Sequence, residues 1–167
     1  MTQSNDHPYL HPARIDIPVE IRVYLIMLLN STLACTVDLH SHVKQAVWNV
    51  KGPDILPLQA LFATMATELA AYADLMAERI VVLGGVALGT ARTAATQSAL
   101  PEYPSNLAEG NAHVQALGER FASYATGLRT SMTHATDVED MGSAALYTDI
   151  SRGIEKRLGL LDAYFHR

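Results

Sequence analysis

Residues 44–90 read KQAVWNVKG (44–52), PDILPLQALFATMATELAAYADLMAERI (53–80) and VVLGGVALGT (81–90). The middle of this stretch predicts a long helix. Leu58, Leu61, Phe62, Met65, Leu69, Tyr72, Met76, Ile80 and Leu83 recur at helical spacing and make one apolar stripe for a bundle core. The opposite side is also nearly free of charge, with Ala63, Thr67, Ala70, Ala71, Val81 and Val82 on it. Between Asp54 and Leu83 the only formal charges are Asp54, Glu68, Asp74, Glu78 and Arg79. A helix apolar on nearly all sides has to be buried on nearly all sides. In a chain of 167 residues that points to a partner subunit.

Working outward, the pattern predicts a helix from Pro18 to about Lys51, ended by Gly52 and Pro53. The second helix runs from Leu56 to Leu83 and is closed by Gly84 and Gly85. A crossover over 86–104 follows, carrying a short helix around Ala91 to Ser98. A third helix is expected from Ser105 to about Thr133, and a last one from Met141 to Phe165. Residues 1–17, with Pro8 and Pro12, read as a flexible arm ahead of a single domain over 18–167. Four long helices with one long central connection is the all-α layout of a ferritin-like four-helix bundle.

Composition narrows the function. Apolar residues make up 49% and charged ones 17%, which suits extensive self-association. The net charge is −5 and the only lysines are Lys44, Lys51 and Lys156, so no basic face or tail is available to neutralise nucleic-acid phosphates. The single Cys35 excludes an intrachain disulfide and suits a reducing compartment. No signal peptide is recognisable over 1–16 and no uncharged apolar run spans a bilayer, so a cytoplasmic protein without a membrane partner is expected.

Asp74 and Glu78, four residues apart, share the small-residue face of the second helix. Like charges at that spacing disfavour an isolated helix, so a compensating group is expected. That group is either a base, from a partner subunit or from Arg79 or Arg92, or a hard cation such as iron or manganese. None of the seven histidines forms the Glu-x-x-His unit of di-iron bundles. His40 and His42 are two apart on a helix and point in different directions. Asp137, Glu139 and Asp140 stand at a helix N-terminus, where they serve either as caps or as part of a cation-attracting pore at a subunit junction.

Lys44-Gln45-Ala46, Trp48-Asn49, Lys51-Gly52-Pro53, Met76-Ala77-Glu78-Arg79, Leu83-Gly84-Gly85 and Ala87-Leu88-Gly89-Thr90 together resemble the signature of the Dps family, the mini-ferritins that protect DNA in starved bacteria. Tyr103-Pro104 and Glu155-Lys156-Arg157-Leu158 extend the match. The resemblance implies a dodecameric hollow shell of one kind of subunit that takes up ferrous iron, oxidises it with peroxide and stores the mineral. It also implies an oxidation centre between two-fold-related subunits, with two histidines and an aspartate from one and an aspartate and a glutamate from the other. Asp74 and Glu78 match the second set. The first set is lost: Val47, Gln59 and Ala63 stand at its three positions, while Trp48 beside it is kept. The chain is therefore expected to hold iron weakly at Asp74 and Glu78, with slow or absent ferroxidase activity and without direct DNA binding. The alternative is a non-catalytic shell, or a partner for a Dps paralogue that supplies the missing ligands. A relocated site using His40 or His42 is a third reading.

Overall fold

The computed structural model describes residues 10–165. It contains α1 (Val19–Asn49), α2 (Ile55–Val82), α3 (Ala91–Gln97), α4 (Gly110–Asp137) and α5 (Met141–Phe165). The described residues form no strand, only an isolated bridge between Lys51 and Glu109. The short connections 50–54 and 138–140 make α1/α2 and α4/α5 hairpins, and the crossover between them carries α3. The stripe read from the sequence is the one that packs inward. Leu58, Phe62, Met65, Leu69, Met76, Ile80 and Leu83 are all buried with Leu25, Leu29, Leu39, Val114, Leu117, Phe121, Ile150 and Ile154.

Helix ends follow local chemistry. Gly84 takes φ +89 after α2, and the N–H groups of Gly84 and Gly85 donate to the carbonyls of Val81 and Ile80, which closes the helix. A Cβ at Gly84 would also stand 2.4 Å from the His11 carbonyl oxygen, because the N-terminal segment crosses here and the His11 N–H donates to Gly84 O at 2.6 Å. Ile15 and Ile17 pack against the core. The part of the expected arm from residue 10 onward is therefore docked; residues 1–9, with His7 and Pro8, lie outside the described residues, as does His166.

The third long helix begins at Gly110 rather than Ser105 and runs on to Asp137. Residues 105–109 are drawn instead toward the α1/α2 corner, where the Lys51 N–H donates to Ala108 O at 2.8 Å. Leu107, expected on that helix, is half-buried just ahead of it. The crossover is fastened to α1 by buried Asn30, whose Nδ2 donates to Val86 O at 3.1 Å while its Oδ1 accepts from Leu88 N at 2.8 Å. Asn30→Ala strands both backbone groups, and a loss of about 2 kcal/mol in thermal or denaturant unfolding is expected.

By length and composition alone α1 and α2 could each cross a bilayer. Neither helix holds an uncharged run of that length, since Asp38 and Lys44 interrupt α1 and Glu68 and Asp74 interrupt α2. In the fold their long stripes line the bundle. The two differ, however: 44% of the most apolar window of α1 is buried but only 28% of that of α2. Of these two helices α2 is thus the one left more open, with Leu56 75% and Val81 62% exposed.

Candidate metal centre

Among the described residues the buried imidazoles, His42 and His113, lie at the end of the bundle where the crossover docks, not at its middle. Where a di-iron bundle projects carboxylates and histidines inward, this one places Thr32, Thr36, Met76, Tyr124 and Tyr147. Thr36 Oγ1 is 2.6 Å from Tyr124 OH and donates to Met76 Sδ at 3.5 Å, and Thr32 Oγ1 is 3.3 Å from Tyr147 OH. Burial raises both phenols, that of Tyr147 to about 12, so neither is a phenolate ligand at neutral pH.

The second place is the outer face of the α1/α2 hairpin. Val47 is half-buried in the last turn of α1, and Gln59, in the second turn of α2, donates from Nε2 to the Val47 carbonyl oxygen at 3.1 Å. Ala63 follows one turn later and is exposed. Trp48 stands beside them 67% exposed, with the Lys44 ammonium 5.5 Å from its ring centroid. Valine and alanine have no lone pair. The Gln59 amide nitrogen is committed to the backbone, which leaves one neutral carbonyl oxygen as the only donor of the three.

Asp74 and Glu78 are exposed on the same face of α2. Among the described residues neither joins an ion pair. Arg79, the base nearest in sequence, turns away: its Nη2 donates to both oxygens of Asp140 at 2.7 and 2.8 Å and its Nε to Ser143 Oγ at 3.1 Å. Ala63 and Asp74 are separated by about 16 Å along the helix axis. The corner and the carboxylate pair therefore cannot close on one ion within a single chain. A second copy with its α2 antiparallel on this one would bring them together, and the small residues Thr67, Ala70 and Ala71 are exposed between them. No group of three or more His, Cys, Asp and Glu is placed to hold a metal among the described residues.

A family model described as a ferritin-like domain matches residues 26–167. The chain is 34% identical over 154 residues to the DNA protection during starvation protein of Agrobacterium fabrum, an alignment that covers 92% of this chain and 95% of that one. The chain belongs to the Dps family. Among solved structures it superposes on DpsA14 from Streptomyces coelicolor with a TM-score of 0.88 at 28% identity, covering 93% and 94% of the two chains. The Dps protein of Vibrio cholerae, described as a member of a broad superfamily of ferritin-like diiron-carboxylate proteins, gives 0.84 at 23% identity over 89% and 93%, a likeness of fold.

The remaining candidates from the sequence are dispersed over this Dps subunit. Asp140 is buried on Arg79, whereas Asp137 and Glu139 are exposed at the α4/α5 turn, Glu139 with φ 60. His42 is buried and bonded through Nε2 to Asp38 at 3.2 Å, and half-buried His40 sits two residues before it. Burial and the neighbouring Lys44 lower the pKa of His40. Sequence reasoning missed the Arg79–Asp140 pair and a second one, Arg157 with Glu68, which clamps α5 to α2. Partners 61 and 89 residues apart leave no local signal.

Proposed function

We propose that this chain builds a Dps-type hollow shell that takes up and stores iron, with little or no peroxide-driven oxidation at its two-fold seam. The observation that carries this is the open α2 face, with exposed Asp74 and Glu78 toward one end and Gln59 and Ala63, beside Val47 of α1, toward the other, where the family resemblance implies the remaining donors. Peroxide accepts two electrons and each ferrous ion gives one, so fast oxidation needs two ions held side by side. Two carboxylates and one amide oxygen are too few donors for that. A single hard cation held weakly at Asp74 and Glu78 is what this donor set suits.

The small-residue stripe supports pairing through α2. Ala70→Arg is expected to shift the assembled protein to smaller species in light scattering, because the guanidinium enters a seam built for a methyl group; an unchanged particle mass would remove the α2 pairing. A dodecamer with Asp137 and Glu139 near its pores is part of this proposal, supported by membership of a family of shell-forming proteins. So are a cytoplasmic location and the absence of direct DNA binding, which rests on a chain with three lysines and net charge −5.

A second reading has one observation in its favour: the carboxylate half is kept while the other half is gone. Paired with a paralogue that carries the lost ligands, this chain would complete one of the two seam sites. Isolation of mixed particles that oxidise iron fast, from cells in which the homo-shell does not, separates this reading from the first.

A further inference from the structure

The crossover ends in a buried cluster that the iron chemistry does not use. Tyr103 pairs with His42 of α1 at 5.4 Å between ring centroids and 28°, and with His113 of α4 at 6.1 Å and 19°. Its hydroxyl is 2.7 Å from His113 Nδ1, and the Arg120 guanidinium lies 5.3 Å from its ring centroid. Tyr103, His42, His113 and Arg120 are all buried. Arg120 donates from Nη1 to Ala116 O and from Nη2 to the backbone carbonyl of Glu102, so it fastens the crossover as well.

The satisfaction of this cluster is incomplete. His42 Nδ1, His113 Nε2 and Arg120 Nε are buried without hydrogen-bond partners among the described residues, while the backbones of Leu107 and Asn49 favour the charged form of His113. Asp38 of α1 pairs with His42, Arg120 of α4 acts on the same ring, and His40, Lys44 and Glu102 line the groove beside it. Asp38 is the one carboxylate bonded to either ring among the described residues. The exposed Glu119 carboxylate reaches Arg120 Nη1 at 3.6 Å. Protonating both imidazoles would put three cations around one buried phenol ring against two carboxylates, Asp38 on His42 and the exposed Glu119 on Arg120, and burial makes that costly.

We infer that this cluster is an acid-sensitive latch: the contacts of His42, Tyr103 and His113 hold crossover residues 98–109 against α1 at neutral pH and release them when the imidazoles take up protons. Burial lowers the pKa of His42, with Asp38 opposing and Arg120 reinforcing the shift, and burial lowers that of His113 against the pull of its backbone carbonyls. A histidine held neutral by the fold contributes stability that is fully present above 6.5, the ordinary histidine value, and is lost as pH falls from there through the lowered folded value. Tyr103 and His42 line a groove of about 590 Å³ together with Trp48, so release of the crossover opens the corner that also carries Val47.

Hydrogen exchange on the full-length assembled protein tests this, with peptides over 98–109 compared against peptides of α5, which share the same chemical pH dependence of exchange. Between about pH 7.5 and about pH 5, protection of the crossover is expected to fall by about tenfold relative to α5. His113→Gln, and His42→Gln with it, should flatten that relative fall while leaving far-UV circular dichroism and particle size unchanged. Parallel loss of protection in both regions, or a relative fall of the same size in the double variant, overturns the latch. Should the double variant not assemble at neutral pH, the wild-type comparison and the single His113→Gln variant decide the matter.

Discussion

Val47→His, Gln59→His and Ala63→Asp introduced together are expected to raise the rate of peroxide-driven ferrous oxidation at least about a hundredfold over the natural chain, read by stopped-flow absorbance. Losing only the groups that orient a metal's ligands costs about 10–100-fold in affinity or activity, so losing three ligands costs at least the top of that range. The positions are ready for the exchange. Ala63 is exposed, Val47 is half-buried at the end of α1, and Gln59 gives up one hydrogen bond, to Val47 O at 3.1 Å. Adding Asp74→Ala to the restored chain should abolish the gain, while in the natural chain the same substitution should change the slow rate little. A natural chain that already oxidises rapidly, and loses this with Asp74→Ala, would overturn the account of the seam.

Asp140→Ala is expected to be the most damaging single substitution proposed for the fold. It leaves the Arg79 guanidinium, 18% exposed, without the carboxylate that takes two of its hydrogen bonds. Removing one partner of a buried ion pair costs about 3–5 kcal/mol, against about 2 kcal/mol for the neutral Asn30 anchor. Burial alone would raise the pKa of Asp140, but the hydrogen bonds from Ser143 and Arg79 and the charge of Arg79 outweigh it and lower the value below 3.8. A carboxylate with a depressed folded value contributes stability that is present above 3.8 and is lost as pH falls through the folded value. Thermal unfolding of the variant should therefore lie well below that of the natural protein at neutral pH, and the gap should close under strong acid. A loss under about 1 kcal/mol would mean that the pair is idle, as exposed pairs often are.

The helix count, the inward stripe of α2 and the bounds of α1, α2, α3 and α5 were legible to within a residue or two, since periodicity and the Gly-Pro and Gly-Gly breaks act locally. The start of α4 was not. Residues 105–109 have no breaker after Pro104, and what keeps them out of the helix is a bond from Lys51, more than fifty residues away. The same limit hid the ion pairs of Arg79 and Arg157 and the cluster around Tyr103, all of which join distant segments. On the site, spacing alone put Asp74 and Glu78 on one face of α2. Ligand positions at Val47, Gln59 and Ala63 are implied only by the family resemblance, because nothing local distinguishes a valine there from any other valine.

The proposed shell keeps the shape of its two-fold seam and holds iron there weakly. Anomalous scattering at the iron edge, from crystals of the assembled protein soaked in ferrous salt without oxygen, reads this directly. The expected map shows at most one partly filled ion beside Asp74 and Glu78. Two fully occupied iron ions between antiparallel α2 helices would contradict it.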